Sequence, residues 1–480
     1  MDKIELRRHD EVYNRVVCDP GVALEVSDYF TFDVPGAKFM PTYKNKVWDG
    51  KIRIFNAMSS LLYCGLTEQL EAFCKSRNYE LDTSDLENDA EFSMKEAEEF
   101  VAKLAPKHQP RDYQMDAFVH SVRKRRQLLL SPTASGKSLI IYLLTCYYAS
   151  KTLIIVPTIS LVHQMTSDFE DYGFPKNAVH KIMSGQEKDS DRMVYISTWQ
   201  SIYKMPKSWF NQFNVIVGDE AHNFKSKSLV KIMTNMTSIK YKFGFTGTLD
   251  GTQTHKLILE GLFGPVRRVT TTSKLIEQKH LADFKIKVLV LNYSDQVKQL
   301  NAKNDYKAEM DLIVASEARN RFLKNLVLSL KGNTILLFQY VEKHGKVLYD
   351  MIQKEAIGRN VYFISGDVDG ESREEIRRII EEQEDAVVVA SYGTSSTGIN
   401  IRNLHNVVFA SPSKSRIRNL QSIGRGLRKS STKTESVLYD VADDLSWKSK
   451  KNYTLLHLVE RIKVYNEEQF PYKIYKLDLN

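Results

Sequence analysis

Residues 128–138 read Leu-Leu-Leu-Ser-Pro-Thr-Ala-Ser-Gly-Lys-Ser, and an apolar run at residues 139–144 follows directly. The leucines predict a short buried strand, the small residues a loop, and the run after Lys137 a helix. A strand, a loop of small residues and a helix in this order form the context of a phosphate-binding loop. The sequence therefore predicts a nucleotide site at this position, although a chance Gly-Lys-Ser at a helix start is the alternative.

The residue types of this loop suit phosphate groups. Backbone N–H groups at the start of the helix surround phosphates, so we expect Lys137 to pair with the β- and γ-phosphates and the Ser138 hydroxyl to bind Mg²⁺. Ser131 stands where such loops usually carry their first glycine. ATP and Mg²⁺ are the predicted cofactors. The residues predicted to bind nucleotide in this loop are Thr133, Ser135, Gly136, Lys137 and Ser138.

A second apolar strand, residues 213–218, ends in Asp219-Glu220-Ala221-His222. Mg²⁺ prefers hard oxygen ligands, so Asp219 is predicted to hold the metal through water. Glu220 is predicted to position and deprotonate the attacking water. Alone, these acids also fit an ordinary helix N-terminus. Their place downstream of the phosphate loop favours the hydrolytic interpretation.

A basic segment in the second half of the chain carries Arg425 and Arg428, three residues apart on a predicted helix. They share a helix face and are predicted to stabilise the charge on a transferring phosphoryl group. A basic solvated helix, or one that contacts a nucleic acid backbone, is the alternative. Because no second phosphate loop occurs, one nucleotide site is expected to serve two similar sheets, closing as ATP binds.

Length and composition place the chain among soluble globular proteins. Its 480 residues suggest about three domains, and its net charge of +9 is compatible with a polyanionic partner. The four cysteines show no metal-ligand spacing, no run is long enough for a membrane helix, and the first residues lack a secretory signal. We expect a cytoplasmic protein without membrane contact (host cytoplasm, if phage-encoded) that is a monomer.

Short apolar strands alternate with helical segments from residue 128 and again from residue 334, which indicates an α/β fold with two doubly wound parallel sheets. Residues 272–295 are expected to pass between the sheets. The predicted domains are 1–105, a small α+β domain; 106–275, an ATP-binding domain; 276–445, a second sheet domain; and 446–480, a C-terminal helix and tail.

The N-terminal domain carries aromatic and basic residues between turn signals. Lys44 and Lys46 interleave with Tyr43 and Trp48 in a segment that predicts a hairpin or small sheet. Such a face suits a nucleic acid backbone. A small sheet with core aromatics and solvated lysines is an equally good interpretation.

Taken in order, the motifs resemble those of helicase superfamily two. Motif I is similar to residues 131–138, the DEAH-type motif II to residues 219–222, and motif III to Thr246-Gly247-Thr248. Tyr113-Gln114 resembles the adenine-reading Q motif, and Val156-Pro157-Thr158 resembles motif Ia. Residues 196–201 resemble a strand-contacting motif. Motif V resembles Thr397-Gly398-Ile399-Asn400, and motif VI Gln421, Gly424, Arg425 and Arg428. The resemblance covers about residues 110–445.

This resemblance implies two RecA-like domains and ATP-dependent helicase activity. It implies that Gln421 joins the catalytic residues and that Gly398 contacts nucleotide. The implied nucleic-acid contacts are Pro157, Thr158, Thr198, Gln200 and Thr397, beside Lys44, Lys46 and Trp48 of the N-terminal domain.

The whole chain resembles the phage recombination and repair helicases of this superfamily. That implies activity on branched DNA (junctions and forks), single- and double-stranded DNA and RNA–DNA hybrids (R-loops) in recombination, repair and replication, with 3′-to-5′ polarity and recombination proteins as candidate partners. The open alternatives are an RNA-specific helicase, the motor subunit of a restriction enzyme, and an inactive nucleic-acid-binding scaffold.

Overall fold

The computed structural model describes residues 2–34, 36–183, 185–368, 370–397, 401, 403–411, 413, 415, 420, 422–424 and 435–479. The chain forms two compact units, residues 1–131 with 136–269 and residues 132–135 with 270–480. Each unit is built around a parallel sheet with helices on its faces, so the predicted α/β fold class with two RecA-like domains is confirmed.

The first unit begins with a small mixed sheet of order β5-β2-β1-β6 and a separate antiparallel pair, β3-β4. Its buried face is formed by alternating residues such as Ile4, Leu6 and Val16, which pack on α1 and α3. The strands are β1 Lys3–Arg8, β2 Tyr13–Val17, β3 Thr31–Asp33, β4 Lys51–Arg53, β5 Leu61–Tyr63 and β6 Glu80–Asp82. The helices are α1 Pro20–Tyr29, α2 Pro41–Lys44, α3 Thr67–Arg77 and α4 Met94–Leu104.

The first parallel sheet has the order β13-β7-β12-β11-β8-β10-β9 among the described residues. Its inner strands are buried on both faces, which explains why they read as continuous apolar runs. The strands are β7 Arg126–Leu130, β8 Thr152–Val156, β9 Val179–Ile182, β10 Val194–Thr198, β11 Val215–Asp219, β12 Tyr241–Thr246 and β13 Val266–Arg268. The helices are α5 Asp112–Lys124, α6 Lys137–Tyr148, α7 Ile159–Tyr172, α8 Trp199–Ile202, α9 Lys207–Phe210, α10 Lys227–Asn235 and α11 Gln253–Phe263.

The second parallel sheet has the order β16-β17-β15-β18-β19-β14-β20 among the described residues. Its strands are β14 Asp283–Asn292, β15 Thr334–Phe338, β16 Val361–Ile364, β17 Val387–Ser391, β18 Asn406–Phe409, β19 Glu435–Asp444 and β20 Tyr472–Asp478. Its helices are α12 Thr272–Glu277, α13 Asp295–Asn301, α14 Tyr306–Ala315, α15 Glu317–Ser329, α16 Lys346–Glu355, α17 Gly370–Glu381, α18 Tyr392–Thr397 and α19 Tyr453–Glu467.

The expectation that residues 272–295 only pass between the sheets is wrong. They contain α12 and the ten-residue strand β14, which pairs in parallel with β19 on one side and β20 on the other. The segment 283–288 alternates polar and apolar residues, and this half-buried pattern conceals a strand with neighbours on both sides. The expected C-terminal helix is present as α19, and the tail after it forms β20.

The domain boundaries at residues 105, 275 and 445 remain predictions. In the structure, the N-terminal sheet belongs to the same compact unit as the first parallel sheet. Among the described helices, none is both long and apolar enough to cross a membrane.

Candidate active site

Three neighbouring strands of the first sheet, β7, β12 and β11, end at one edge and carry the phosphate loop, the Thr246-Gly247-Thr248 turn and the Asp219-Glu220 pair. Ligands of parallel α/β sheets bind outside the carboxyl ends of the strands. Ser131 lies fully buried in this frame, and its N–H donates to the Thr246 carbonyl at 2.8 Å. The departure from the usual glycine is therefore accommodated by a small side chain packed below the loop.

The loop itself needs glycine at position 136. Gly136 has φ +76°, and a Cβ there would lie 2.4 Å from Gln114 Nε2. Gln114 is buried, accepts a hydrogen bond from the Arg111 N–H at 2.8 Å, and donates to the Gly136 carbonyl at 3.2 Å. The predicted Q-motif glutamine thus contacts the end of the phosphate loop, where α6 begins. Its neighbour Tyr113 accepts a hydrogen bond from the Arg111 guanidinium at 2.9 Å.

Lys137 begins α6 and reaches both acids of the predicted catalytic pair. Its Nζ lies 3.3 Å from Glu220 Oε1 and 3.9 Å from Asp219 Oδ1. Neither contact is bidentate, so the ammonium is shared between two carboxylates. A phosphate group is an alternative anionic partner for the same ammonium.

The two carboxylates differ in their electrostatic surroundings. Burial raises the pKa of Asp219, and the Glu220 carboxylate beside it acts in the same direction against Lys137. Burial also raises the pKa of Glu220, but Lys137 and His222 outweigh it, so the net shift is downward. Glu220 is therefore ionised at neutral pH, as a group that accepts a proton from water must be.

The backbone at Glu220 adopts a conformation that side chains rarely take. Its φ is +48°, and its N–H donates to Asp219 Oδ1 at 2.9 Å. Non-glycine residues held in the left-handed region cost free energy and cluster at functional sites. This residue lies between the end of β11 and the 3₁₀ turn Ala221–Lys225.

His222 connects this acidic turn with the end of β12. Its Nδ1 lies 3.4 Å from Glu220 Oε2 and 3.0 Å from Thr246 Oγ1. The Thr246 hydroxyl also donates to the Thr248 carbonyl at 2.9 Å and accepts from the Thr248 N–H at 3.3 Å. The predicted motif II and motif III segments are therefore joined by direct hydrogen bonds.

Tyr172, a residue that the sequence did not point to, contacts the predicted metal ligand. Its hydroxyl lies 2.7 Å from Ser138 Oγ. Burial raises the pKa of Tyr172 to about 12, so the phenol stays protonated and available as a hydrogen-bond partner. Tyr172 ends α7, 34 residues from Ser138, and no local pattern predicts a contact of that range.

The donor set at this edge fits the predicted cofactors. The Ser138 hydroxyl and the Asp219 carboxylate are hard oxygen donors of the kind that Mg²⁺ prefers, and the start of α6 offers backbone N–H groups for phosphates. Among the described residues, there is no group of three or more His, Cys, Asp or Glu side chains that could hold a metal on its own.

The predicted nucleic-acid residues of the first sheet come together at its other half. Pro157 and Thr158 follow β8, Thr198 ends β10, and Gln200 lies in α8; β8 and β10 are neighbours. Thr158 caps α7 by accepting a hydrogen bond from the Leu161 N–H at 3.4 Å. The Thr198 hydroxyl lies 2.9 Å from that of Ser201.

Lys44, Lys46 and Trp48 lie in the segment between β3 and β4, and all three are exposed or partly exposed. Trp48 Nε1 donates to the Lys51 carbonyl at 2.8 Å, which holds the indole against the hairpin. A groove here is lined by Lys38, Tyr43, Lys44, Lys46, Val47, Trp48 and Asp49. The structure thus presents aromatic and basic side chains together on a surface.

The remaining predicted site residues belong to the second unit. Thr397 ends α18. Gly398, Gln421, Arg425 and Arg428 lie outside the described residues. Their predicted roles in nucleotide binding and phosphoryl-charge stabilisation stay predictions.

Family comparisons match three parts of the chain. Residues 3–84 match "DNA helicase UvsW, N-terminal", residues 107–251 match "Type III restriction enzyme, res subunit", and residues 317–430 match "Helicase conserved C-terminal domain". Together with the two parallel sheets and the Lys137, Asp219 and Glu220 site, these matches define an ATP-dependent helicase of superfamily two. The resemblance read from the motif order is confirmed.

One relative matches essentially the entire chain. The "ATP-dependent DNA helicase uvsW" of Enterobacteria phage T4 is 35% identical over 504 residues, which cover 99% of this chain and 100% of that protein. The crystal structure of T4 UvsW matches with a TM-score of 0.53 and 33% identity, over 100% of both chains. The chain belongs to the UvsW family of DNA helicases.

A restriction enzyme shares the fold. The ATP-dependent Type ISP restriction-modification enzyme LlaBIII bound to DNA matches with a TM-score of 0.58 and 15% identity, over 77% of this chain and 32% of that chain. At this identity the match shows the architecture alone.

Proposed function

We propose that this protein uses ATP and Mg²⁺ to remodel branched DNA, at junctions and forks, and RNA–DNA hybrids in R-loops during phage recombination, repair and replication. The observation that carries the proposal is the relation to a DNA helicase over the full chain, which includes the N-terminal domain as well as the motor. The host cytoplasm, where phage DNA is processed, is the proposed location.

Each residue of the candidate site has a distinct chemical task in the proposed hydrolysis. Lys137 leaves the two carboxylates to pair with phosphate oxygens, and Glu220, ionised at neutral pH, accepts a proton from the attacking water. Ser138 and Asp219 would hold Mg²⁺, which neutralises phosphate charge when bound. His222 keeps the Glu220 side chain oriented through its contacts at 3.4 Å to Glu220 and 3.0 Å to Thr246.

Nucleic acid is proposed to be gripped mainly through its phosphates, so sequence is hardly read. Pro157, Thr158, Thr198 and Gln200 at the ends of β8 and β10, with Thr397, would contact one strand. Lys44, Lys46 and Trp48 would engage duplex DNA near the branch, since exposed aromatic and basic side chains suit stacking and phosphate contacts.

Energetics favour branched substrates. Opening a DNA step costs about 1.4 kcal/mol, whereas branch migration exchanges one pair for another at much smaller net cost. A motor that grips duplex phosphates can therefore move junctions well while it separates long duplexes poorly.

The test compares substrates in one buffer at fixed salt. ATPase and strand displacement are measured on forks, four-way junctions, R-loops, linear duplex DNA and duplex RNA, with Glu220→Gln as the hydrolysis-deficient control. We expect the highest turnover on junctions, forks and R-loops, and none with the control. Equal or greater stimulation by duplex RNA would favour the RNA-specific alternative and overturn the proposal. Mg²⁺-dependent DNA cleavage would favour the restriction-enzyme alternative.

A further inference from the structure

A charged cluster next to the active site joins two of its loops. The Asp250 carboxylate contacts Lys225 Nζ at 2.5 Å and is in hydrogen-bond contact with His255 Nδ1, while Lys225 Nζ and His255 Nδ1 are 3.3 Å apart. The Thr252 N–H donates to the other Asp250 oxygen at 2.9 Å. We call Lys225, Asp250 and His255 the coupling cluster.

The charge of Asp250 is held firmly by these contacts. Burial raises its pKa, but Lys225, the Thr252 N–H and His255 outweigh burial and lower the pKa to about 2. All three side chains are partly buried, with exposed fractions of 32% for Lys225, 21% for Asp250 and 33% for His255. An ion pair in this setting is screened less by solvent than one on the open surface.

One side of the cluster begins at the catalytic carboxylate. Glu220 is followed by the 3₁₀ turn Ala221–Lys225, so Lys225, whose ammonium contacts Asp250, lies five positions after the proposed general base. His222 lies within the same turn and contacts both Glu220 and Thr246. A change in the position of Glu220 therefore shifts a short, hydrogen-bonded turn that ends in Lys225.

The other side of the cluster is the helix α11. His255 lies in its first turn, and Asp250 receives the N–H of Thr252, the residue just before the helix. A helix of 11 residues is about 16 Å long and moves as a rigid element. The cluster thus holds the first turn of α11 to the turn that follows Glu220.

The C-terminal half of α11 packs closely against the N-terminal sheet. Gln69 Nε2 donates to Glu260 Oε2 at 2.8 Å. A Cβ on Gly65 would lie 1.9 Å from the Glu260 carbonyl oxygen, and a Cβ on Gly261 would lie 2.9 Å from Tyr63. Leu257 belongs to the core of the N-terminal sheet. Because α11 and the residues Tyr63 and Gly65 are in direct contact and protein interiors are closely packed, a displacement of α11 is transmitted to these residues.

We propose that the coupling cluster is a positioning device that transmits rearrangements at Glu220 through α11 to the N-terminal sheet, so that ATP turnover changes the hold of the N-terminal domain on DNA. This inference rests on the proposed function. It assigns Lys225, Asp250 and His255 no contact with ATP or DNA. Their task is to keep the turn after Glu220 and the start of α11 moving together.

The readout is a linkage factor, the ratio of DNA dissociation constants with and without a non-hydrolysable ATP analogue. Such factors are typically about 5- to 150-fold and are reciprocal between the two ligands. The Asp250→Asn substitution keeps the shape of the side chain and removes its charge. In this variant we expect the linkage factor to move at least about fivefold toward one. The DNA-stimulated kcat should fall more than the KM for ATP changes. Asp250→Glu should restore part of both values.

A second variant tests the far end of the same route. Gln69→Ala removes the hydrogen bond from α3 to the buried Glu260 in the C-terminal half of α11. It should also reduce the ratio, and the double variant should lose no more than the stronger single variant, because both changes break one chain of contacts. Asp311→Asn, which removes an exposed ion pair with Lys343 of 3.0 Å in the second unit, is the matched control and should leave the ratio unchanged.

The outcomes separate the inference from the proposed function. An unchanged ratio in both Asp250→Asn and Gln69→Ala, with wild-type protein still stimulated by forked DNA, overturns the inference and leaves the proposed function standing. Full additivity in the double variant also overturns it. If Asp250→Asn does not fold, Gln69→Ala alone decides by the same criterion. Absence of DNA-stimulated hydrolysis in the wild type would instead overturn the proposed function.

Discussion

The two parallel sheets have similar architecture but hold their charges in opposite ways. At the first sheet, Lys137 is shared between Glu220 and Asp219 at 3.3 and 3.9 Å, with no bidentate contact. In the second unit, Arg319 binds Asp443 through two hydrogen bonds of 2.7 and 3.0 Å, and both side chains are fully buried. Shared charges can exchange partners, whereas bidentate buried pairs cannot do so without unfolding.

The second unit contains another buried arginine–aspartate pair, on the other face of β19. Arg461 donates to Asp440 at 2.8 Å and to the Ser413 carbonyl at 3.1 Å, and the Tyr465 hydroxyl donates to Asp440 at 2.8 Å. The pair ties α19 to the sheet. At the edge of the first sheet one ammonium is shared by two carboxylates, whereas in the second unit buried arginine–aspartate pairs hold a helix to the sheet.

Removing the ammonium that the two carboxylates share should have the largest effect on activity. We expect Lys137→Ala to lower DNA-stimulated ATPase by at least about 10²- to 10³-fold, because a preorganised charge toward phosphate is lost. DNA binding should be little changed. Steady-state ATPase with forked DNA is the measurement, and Lys285→Ala, which removes an exposed ion pair with Glu435 of 3.0 Å, is the control. Wild-type hydrolysis in Lys137→Ala would contradict the assignment of the site.

Breaking the second arrangement should destabilise the fold. Arg461→Ala leaves the Asp440 carboxylate buried without its cationic partner, which costs about 3–5 kcal/mol of unfolding free energy. Urea unfolding gives this quantity. Lys463→Ala in the same helix, which removes an exposed pair with Glu460 of 2.7 Å, should cost at most about 1 kcal/mol. Equal losses in the two variants would show that Arg461 is not a structural anchor.

Lowering the pH should reduce the stability of the second unit, with a smaller effect than the two substitutions. His344 is fully buried in the second unit, and burial together with the Arg319 charge lowers its pKa to about 3. The folded pKa lies below the unfolded value of about 6.5, so its stabilisation is complete above pH 6.5 and is lost as pH falls toward 3. We expect a loss of about 1.4 kcal/mol per pH unit within that window.

The measurement compares urea unfolding of the wild type and His344→Asn at pH values between 7.5 and about 5. Other titrating groups are shared by both proteins, so the difference in slope reports His344 alone. Parallel slopes would mean that this histidine has the same pKa in the folded and unfolded states. The depressed carboxyl of Asp250 in the first unit, with a pKa of about 2, should lose its contribution only at lower pH.

The sequence predicted those parts of the fold whose signal is local. The strand, loop and helix around Lys137 and the strand before Asp219 lie close to their predicted positions. Each combines an apolar run of the right period with a turn or capping signal, so no distant residue is needed to specify it.

The missed strands share a different property. β9 and β13 are short edge strands of the first sheet, β20 is an exposed edge of the second, and the first part of β14, residues 283–288, alternates polar and apolar residues. Their pairing depends on neighbours far along the chain, such as β20 with β14. A local pattern does not specify which sheet will accept such a segment.

The candidate site divides in the same way. Motif spacing predicted Lys137, Ser138, Asp219 and Glu220, and the structure brings them to one edge of the sheet. The contact between Tyr172 and Ser138 was not predicted, because tertiary packing creates it.

The pairing of β14 with β20 has a consequence for biogenesis. Residues 286–292 lie beside residues 472–478, and the Asn292 amide donates to Asp478 across a separation of 186 residues. Ribosomes deliver a chain from its N-terminus, so β14 emerges long before the neighbour that covers its outer edge. Until translation passes residue 478, that edge offers unpaired backbone to other nascent chains, and a holdase chaperone that shields extended apolar segments would find its substrate there.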